Sequence, residues 1–119
     1  MEKTIEIGNR QVSFKATAST TRKYRAKFNR DLFVDFNRLA PQMETGTLTA
    51  DSLECFENIA YIMAKQADDS IPDDPDEWLD QFDMMSIYEV LPQLVELWGA
   101  NVKTIEEPKK KATGRQSGR

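Results

Sequence analysis

Seven carboxylates crowd between positions 68 and 80, at Asp68, Asp69, Asp73, Asp74, Asp76, Glu77 and Asp80. A cluster this dense is where a divalent cation would be sought. It does not follow the order of a calcium-binding EF-hand loop, because no glycine stands at the turn position and the twelfth-position glutamate is absent. The pattern instead fits a solvated acidic loop that runs into a helix, whose first turn favours negative charge. No metal site is expected from it. The single cysteine, Cys55, has no intramolecular partner, and the chain has no histidine to activate it. It is expected as a small residue at the edge of a helix core, in a protein of a reducing compartment.

The lack of histidine reaches further. It removes the usual acid-base group near neutral pH and the commonest metal ligand, and with them Ser-His-Asp, Cys-His and most zinc arrangements. The five glycines are dispersed at Gly8, Gly46, Gly99, Gly114 and Gly118, so no glycine-rich phosphate loop exists. No catalytic residue and no cofactor is expected. The chain is read as non-enzymatic.

Five basic residues, Arg22, Lys23, Arg25, Lys27 and Arg30, surround Tyr24 and Phe28 and could touch phosphates. The net charge of −4 argues against it. From Lys103 onward the balance is +4, which leaves the rest of the chain at −8, acidic enough to repel nucleic acid over most of its surface. Nucleic-acid binding is not expected. Between Trp78 and Trp98, by contrast, Trp78, Leu79, Phe82, Met84, Met85, Tyr88, Leu91 and Trp98 make a dense apolar series. Most of these are expected in the core, but Trp, Tyr and Met are also the side chains that dominate protein-binding surfaces, and some are expected to form a docking groove or an oligomer contact. Trp78, Phe82, Tyr88, Leu91 and Trp98 are the candidate partner-binding residues.

These side chains must be positioned by local elements that the residue pattern reveals. Thr4 to Ile7 and Gln11 to Ala16 alternate polar and apolar around Gly8-Asn9, the pattern of a β-hairpin with Ile5, Ile7, Val12 and Phe14 on its buried face. A lone hairpin is unstable in water, so it must lie on helices or on another chain's strands. Tyr24 and Phe28 share a face of a short basic helix over 22–28 behind Ser19-Thr20-Thr21, and Asn29 is placed to end it in a left-handed turn. Asp31 then caps a helix carrying Leu32, Phe33, Phe36 and Leu39, which Pro41 is expected to end, with residues 42–49 as a loop.

Thr49 or Asp51 starts the strongest helix, with a stripe of Leu53, Phe56, Ile59, Ala60, Met63 and Ala67. Asp74-Pro75-Asp76-Glu77 has the form of a capping box with proline in the first turn, opening a short helix to Phe82. Ser86-Ile87-Tyr88-Glu89 reads as a second box, opening a helix with Ile87, Leu91, Leu94, Val95 and Trp98 on one face. Pro92, inside it, calls for a kink or a later start.

The fold class expected is α+β, mostly α: an N-terminal hairpin packed on a compact bundle of four to five helices over residues 1–102. A disordered basic tail is expected over 103–119, where Ile105 is the one large aliphatic residue. No apolar run is long enough to span a membrane, and the first residues do not read as a signal peptide. A soluble, intracellular protein is expected.

The order of several short segments carries a resemblance. Ile5-Glu6-Ile7-Gly8, Phe14-Lys15-Ala16-Thr17-Ala18 and Tyr24-Arg25-Ala26-Lys27-Phe28-Asn29-Arg30-Asp31-Leu32 come first. Residues 57–67, 77–82 and 86–92 follow. Together they resemble the tail assembly chaperones of long-tailed bacteriophages and prophages of Gram-positive bacteria. The resemblance covers nearly the whole body, and its motifs are structural.

It implies a protein of the bacterial host cytoplasm that binds the long helical tape measure protein and keeps it soluble while tail tube subunits polymerise around it. It also implies absence from the mature virion and, in many members, a frameshifted long form of the same chain. The triple Lys109-Lys110-Lys111 could be encoded by an adenine-rich slippery run. A homo-oligomer is compatible with this role. Two other functions remain open: a structural tail or head-tail connector protein, and a small nucleic-acid-binding regulator.

Overall fold

The structure, a computed structural model, describes residues 2–97. The expected tail, the boundary at 102, and Trp98 lie outside the described residues. The fold is α+β and mostly helical: a two-stranded antiparallel hairpin packed on a helical body. Strands β1 (Glu2–Ile7) and β2 (Arg10–Lys15) pair with Ile5 opposite Val12 and Lys3 opposite Phe14. Gly8 takes a positive φ of 61°, which glycine adopts without a side-chain clash, and this lets a two-residue turn close the hairpin. The register puts Ile5, Ile7, Val12 and Phe14 on one face. Ile5, Ile7 and Phe14 are fully buried there, while Glu2, Thr4, Glu6 and Gln11 point to solvent.

Helix α1 (Thr20–Phe28) follows, and Asn29 ends it in the left-handed region at φ 57°, its amide donating to the Arg25 carbonyl. The Asp31 carboxylate accepts from the Val34 amide and so caps α2. That helix spans Leu32–Thr45 and does not stop at Pro41. The expected end at proline is corrected: Pro41 removes the amide that would pair with the Asn37 carbonyl, but Pro41 and Asn37 are both exposed residues, where such a loss is cheapest. The helix instead ends at Gly46, again with a positive φ, and residues 42–45 of the expected loop are helical. The Ser52 hydroxyl, at the start of the next helix, donates to the Gln42 side chain and fixes this last turn.

Helix α3 (Ala50–Ala67) is capped by Thr49, whose hydroxyl accepts from the Ser52 amide at 3.1 Å. It is the central post. Ile59 to Ala64 are all buried, because β2, α1, α2 and α4 pack around it, so its middle carries no polar face. Helix α4 (Pro75–Leu79) starts at the Asp74 cap and stops three residues before Phe82, which lies in the following turn.

The expected helix from Ser86 is broken. A single turn, α5 (Ser86–Glu89), is capped by Met85 with no side-chain bond. A new helix, α6 (residues 91–97), begins after Val90. Pro92 thereby falls in the first turn of α6, where its missing amide has no intrahelical partner to lose.

The core is continuous from the hairpin to α6. Through it runs a chain of aromatic rings: Tyr24 on Phe28 at 5.2 Å, Phe28 on Tyr61 at 6.4 Å, Tyr61 on Trp78 at 6.0 Å and Trp78 on Phe82 at 5.1 Å. Each such pair contributes about 0.5–1.5 kcal/mol beyond its buried area. No helix among the described residues is long and apolar enough to cross a membrane.

Candidate functional site

The groups with most chemical potential meet where α1, α2 and α3 converge. Asp35 lies on the buried face of α2, three residues after Leu32 and four before Leu39, and is only 2% exposed. A carboxylate removed from water must be compensated. Tyr24 Oη donates to Asp35 Oδ2 at 2.6 Å. Arg30 makes a two-pronged pair, Nε to Oδ2 at 2.7 Å and Nη2 to Oδ1 at 2.8 Å. Arg38 Nη2 reaches Oδ1 at 3.2 Å and extends to Asp51 at 3.1 Å and to Cys55 Sγ at 3.5 Å.

Hydrogen bonds from Arg30, then from Tyr24, hold the Asp35 carboxyl below the usual carboxylate range against the opposing effect of burial. Burial, with the Asp35 hydrogen bond, pushes the Tyr24 phenol far up. Burial also raises the Cys55 thiol, which keeps it protonated. The node therefore holds one buried anion, Asp35, with Asp51 at its exposed margin, and a thiol kept protonated. Its donors and acceptors bond one another across three helices.

In the acidic loop, the carboxylates of Asp68, Asp73 and Asp74 are engaged within their own chain. Asp68 Oδ1 accepts from the amide and hydroxyl of Ser70, Asp74 caps α4, and Lys65 Nζ pairs with Asp73 at 3.1 Å. Lys27 donates to the Asp73 carbonyl and sits 5.5 Å from the centre of the Tyr61 ring. Among the described residues no group of His, Cys, Asp or Glu is arranged to hold a metal ion. Of the five cations around α1, Lys27 and Arg30 thus serve the fold, while Arg22, Lys23 and Arg25 are exposed.

The apolar candidates separate by burial. Trp78 and Leu91 are core residues, 2% and 4% exposed, so they do not present a surface to a partner. Phe82 is half-buried, with the Arg10 guanidinium 5.9 Å from its ring centre. Tyr88 is half-buried against Phe56 and donates to the Glu57 carboxylate. Phe82, not Tyr88, lines a cleft of about 450 Å³, together with residues 10–13 of β2, Ala67, Asp68, Ser70 to Pro72, Trp78 and Gln81. Trp98 lies outside the described residues, so the five do not form one exposed surface.

The large apolar side chains that are exposed among the described residues are Met84 and Met85, at 82% and 62%, between α4 and α5, and Phe33 and Val34 on α2. Met84 and Met85 belong to the apolar series of the sequence but not to its five candidates. Asp35 is not among the candidates either, although it carries a signal in the sequence: an acid within the apolar stripe of α2, flanked by Arg30 and Arg38.

Comparison with protein-family models, with curated proteins and with solved structures finds no match to this chain.

Proposed function

We propose that this chain is a non-enzymatic chaperone of phage tail assembly that binds the tape measure protein and keeps it in solution while the tail tube grows. The reading rests on the resemblance of the ordered segments from Ile5 to Pro92. One structural observation carries it: the reactive groups are consumed inside the body, while unbranched thioethers, Met84 and Met85, stand in water at a turn. Flexible thioethers adapt to many apolar shapes, which suits a client offering a long series of similar helical faces. Copies bound along one client would reinforce each other, so each contact can be weak. The acidic body adds charge that resists aggregation of the complex.

Co-expression tests this reading. The cognate tape measure protein is expected in the soluble fraction when this chain is present and in the pellet when it is absent, and mass spectrometry of purified virions is expected to lack the chain. Failure to keep the client soluble, together with stoichiometric presence in virions, would favour a connector or tail protein instead.

A further inference from the structure

Met84 and Met85 project from a stretch of backbone that is pinned on both sides. Upstream, the Gln81 amide donates to the Trp78 carbonyl and the Phe82 amide to the Leu79 carbonyl. Downstream, the Ser86 amide donates to the Asp83 carbonyl and the Tyr88 amide to the Met85 carbonyl. Trp78 and Ile87, near the two ends of this run, are anchored in the core. The methionine side chains are largely exposed and belong to no part of that core, so their apolar area remains available to a partner.

Charge tells which kind of partner. From Gln66 to Val102 the chain carries ten acids and neither lysine nor arginine. Asp83 directly precedes the two methionines, Asp80 stands just upstream, and Glu89 closes α5 four residues after Met85. All three are exposed, and no ion pair among the described residues involves them, whereas Asp35, Asp51 and Asp73 are paired. Arg10 approaches this turn, but it lies over Phe82 and donates to Gln81, where these residues line the cleft beside β2 and the methionines do not.

An apolar pair bordered by unpaired carboxylates disfavours an acidic partner or an anionic lipid surface and favours a cationic one. Two adjacent thioethers match the apolar stripe of an amphipathic helix, and the carboxylates match lysines or arginines along its border. Because thioethers re-pack around different apolar shapes, the charge of that border matters more than the identity of each apolar residue. A second copy of this chain is a poorer fit. Its basic helix, α1, already turns Tyr24 and Phe28 inward.

We propose that Met84 and Met85, with Asp80, Asp83 and Glu89, form a docking surface for a basic amphipathic helix, and that such a helix is the part of the client held there. That the helix belongs to the tape measure protein rests on the chaperone reading; the preference for a basic helix rests on the surface itself.

Two synthetic helical peptides with the same leucine stripe, one bordered by lysines and the other by glutamates, test it by NMR on the full chain with methyl-labelled methionine. The lysine peptide is expected to shift the Met84 and Met85 signals, to bind at least about tenfold more tightly than the glutamate peptide, and to lose that advantage as salt is raised. The signal of Met63, which is buried, should stay in place and so reports that the body is folded. Asp80→Asn with Asp83→Asn should cut the preference for lysine at least about threefold. Failure of the lysine peptide to bind more tightly than the glutamate peptide would overturn the proposal, as would binding that leaves both exposed methionine signals unmoved. A chain that prefers the lysine peptide yet cannot keep the tape measure protein soluble retains this surface and loses the chaperone reading. One that keeps that protein soluble but is indifferent to peptide charge does the reverse.

Discussion

Tyr24 and Asp35, eleven positions apart on consecutive helices, meet at 2.6 Å in the interior, the phenol donating to a carboxylate that two arginines also hold. This pair decides how α1 and α2 close against α3, because Arg38 carries the same network on to Asp51 and Cys55.

Removing the carboxylate strands its donors. Asp35→Ala leaves the buried Tyr24 hydroxyl unpaired and Arg30 without its anion, while Arg38 keeps only Asp51, and is expected to cost about 3 kcal/mol in urea unfolding. The effect also has a pH signature. The Asp35 carboxyl titrates lower in the folded chain than in the unfolded one, so its contribution is complete above the unfolded value near 3.9 and is lost as pH falls through the folded value. Stability of the unaltered chain should therefore drop on acidification below about pH 4, and Asp35→Asn should show a shallower drop over that range.

The alkaline limb is set by Cys55 and the three tyrosines, all shifted upward. Burial dominates at Tyr24 and Tyr61, whereas the hydrogen bond to Glu57 dominates at Tyr88 and pushes it up to about 12. For the tyrosines, raised folded values mean that their contribution is present below the unfolded value near 10 and is lost as pH climbs through the folded ones. Absorbance near 295 nm should stay flat at about pH 10, where free tyrosine is half ionised, and rise only at higher pH or with unfolding. A half-complete rise at pH 10 in the native chain would contradict the buried placement of Tyr24 and Tyr61.

Pro41 lies well inside α2, which continues for another turn to Thr45. A proline there forfeits one helical bond and crowds the preceding turn, at a cost of about 3 kcal/mol, partly offset because it also restricts the unfolded chain. Pro41→Ala is accordingly expected to raise stability by about 2 kcal/mol, read as a higher melting temperature with unchanged helical content. A loss of stability would mean that the helix ends near Pro41 after all.

What the residue pattern disclosed, and what it hid, follows from how local each cause is. The Gly8 turn and the caps at Asn29, Asp31, Thr49 and Asp74 depend on a residue and its near neighbours, and all are found where the pattern places them. The end of α2 is set by a local signal, Gly46, which Pro41 overshadows in the residue pattern, and by the Ser52 to Gln42 bond, which comes from the next helix. Asp35 is only partly legible: an apolar-polar pattern sends an acid to the surface, and Arg30 and Arg38 beside it in sequence hint at, without fixing, the buried pairing that Tyr24 completes. Trp78 and Leu91 show the converse: a residue type suited to interfaces is equally suited to a core, and only packing separates the two.

Met84 and Met85 offer the sharpest test of partner binding. Both side chains stand in solvent, so Met84→Ser with Met85→Ser should change stability by no more than about 0.5 kcal/mol. If they contact the client, each removed anchor costs about 1 kcal/mol or more at the interface, so the double variant should bind the tape measure protein at least about tenfold more weakly. Replacement of both by leucine keeps the apolar volume and should retain most of the binding. Trp78→Ala, in contrast, empties a core site and is expected to cost about 3–5 kcal/mol of stability. Any loss of binding it causes should therefore track the unfolded fraction. Undiminished client binding by the folded serine variant would remove Met84 and Met85 from the interface and return attention to Phe33 and Val34 on α2.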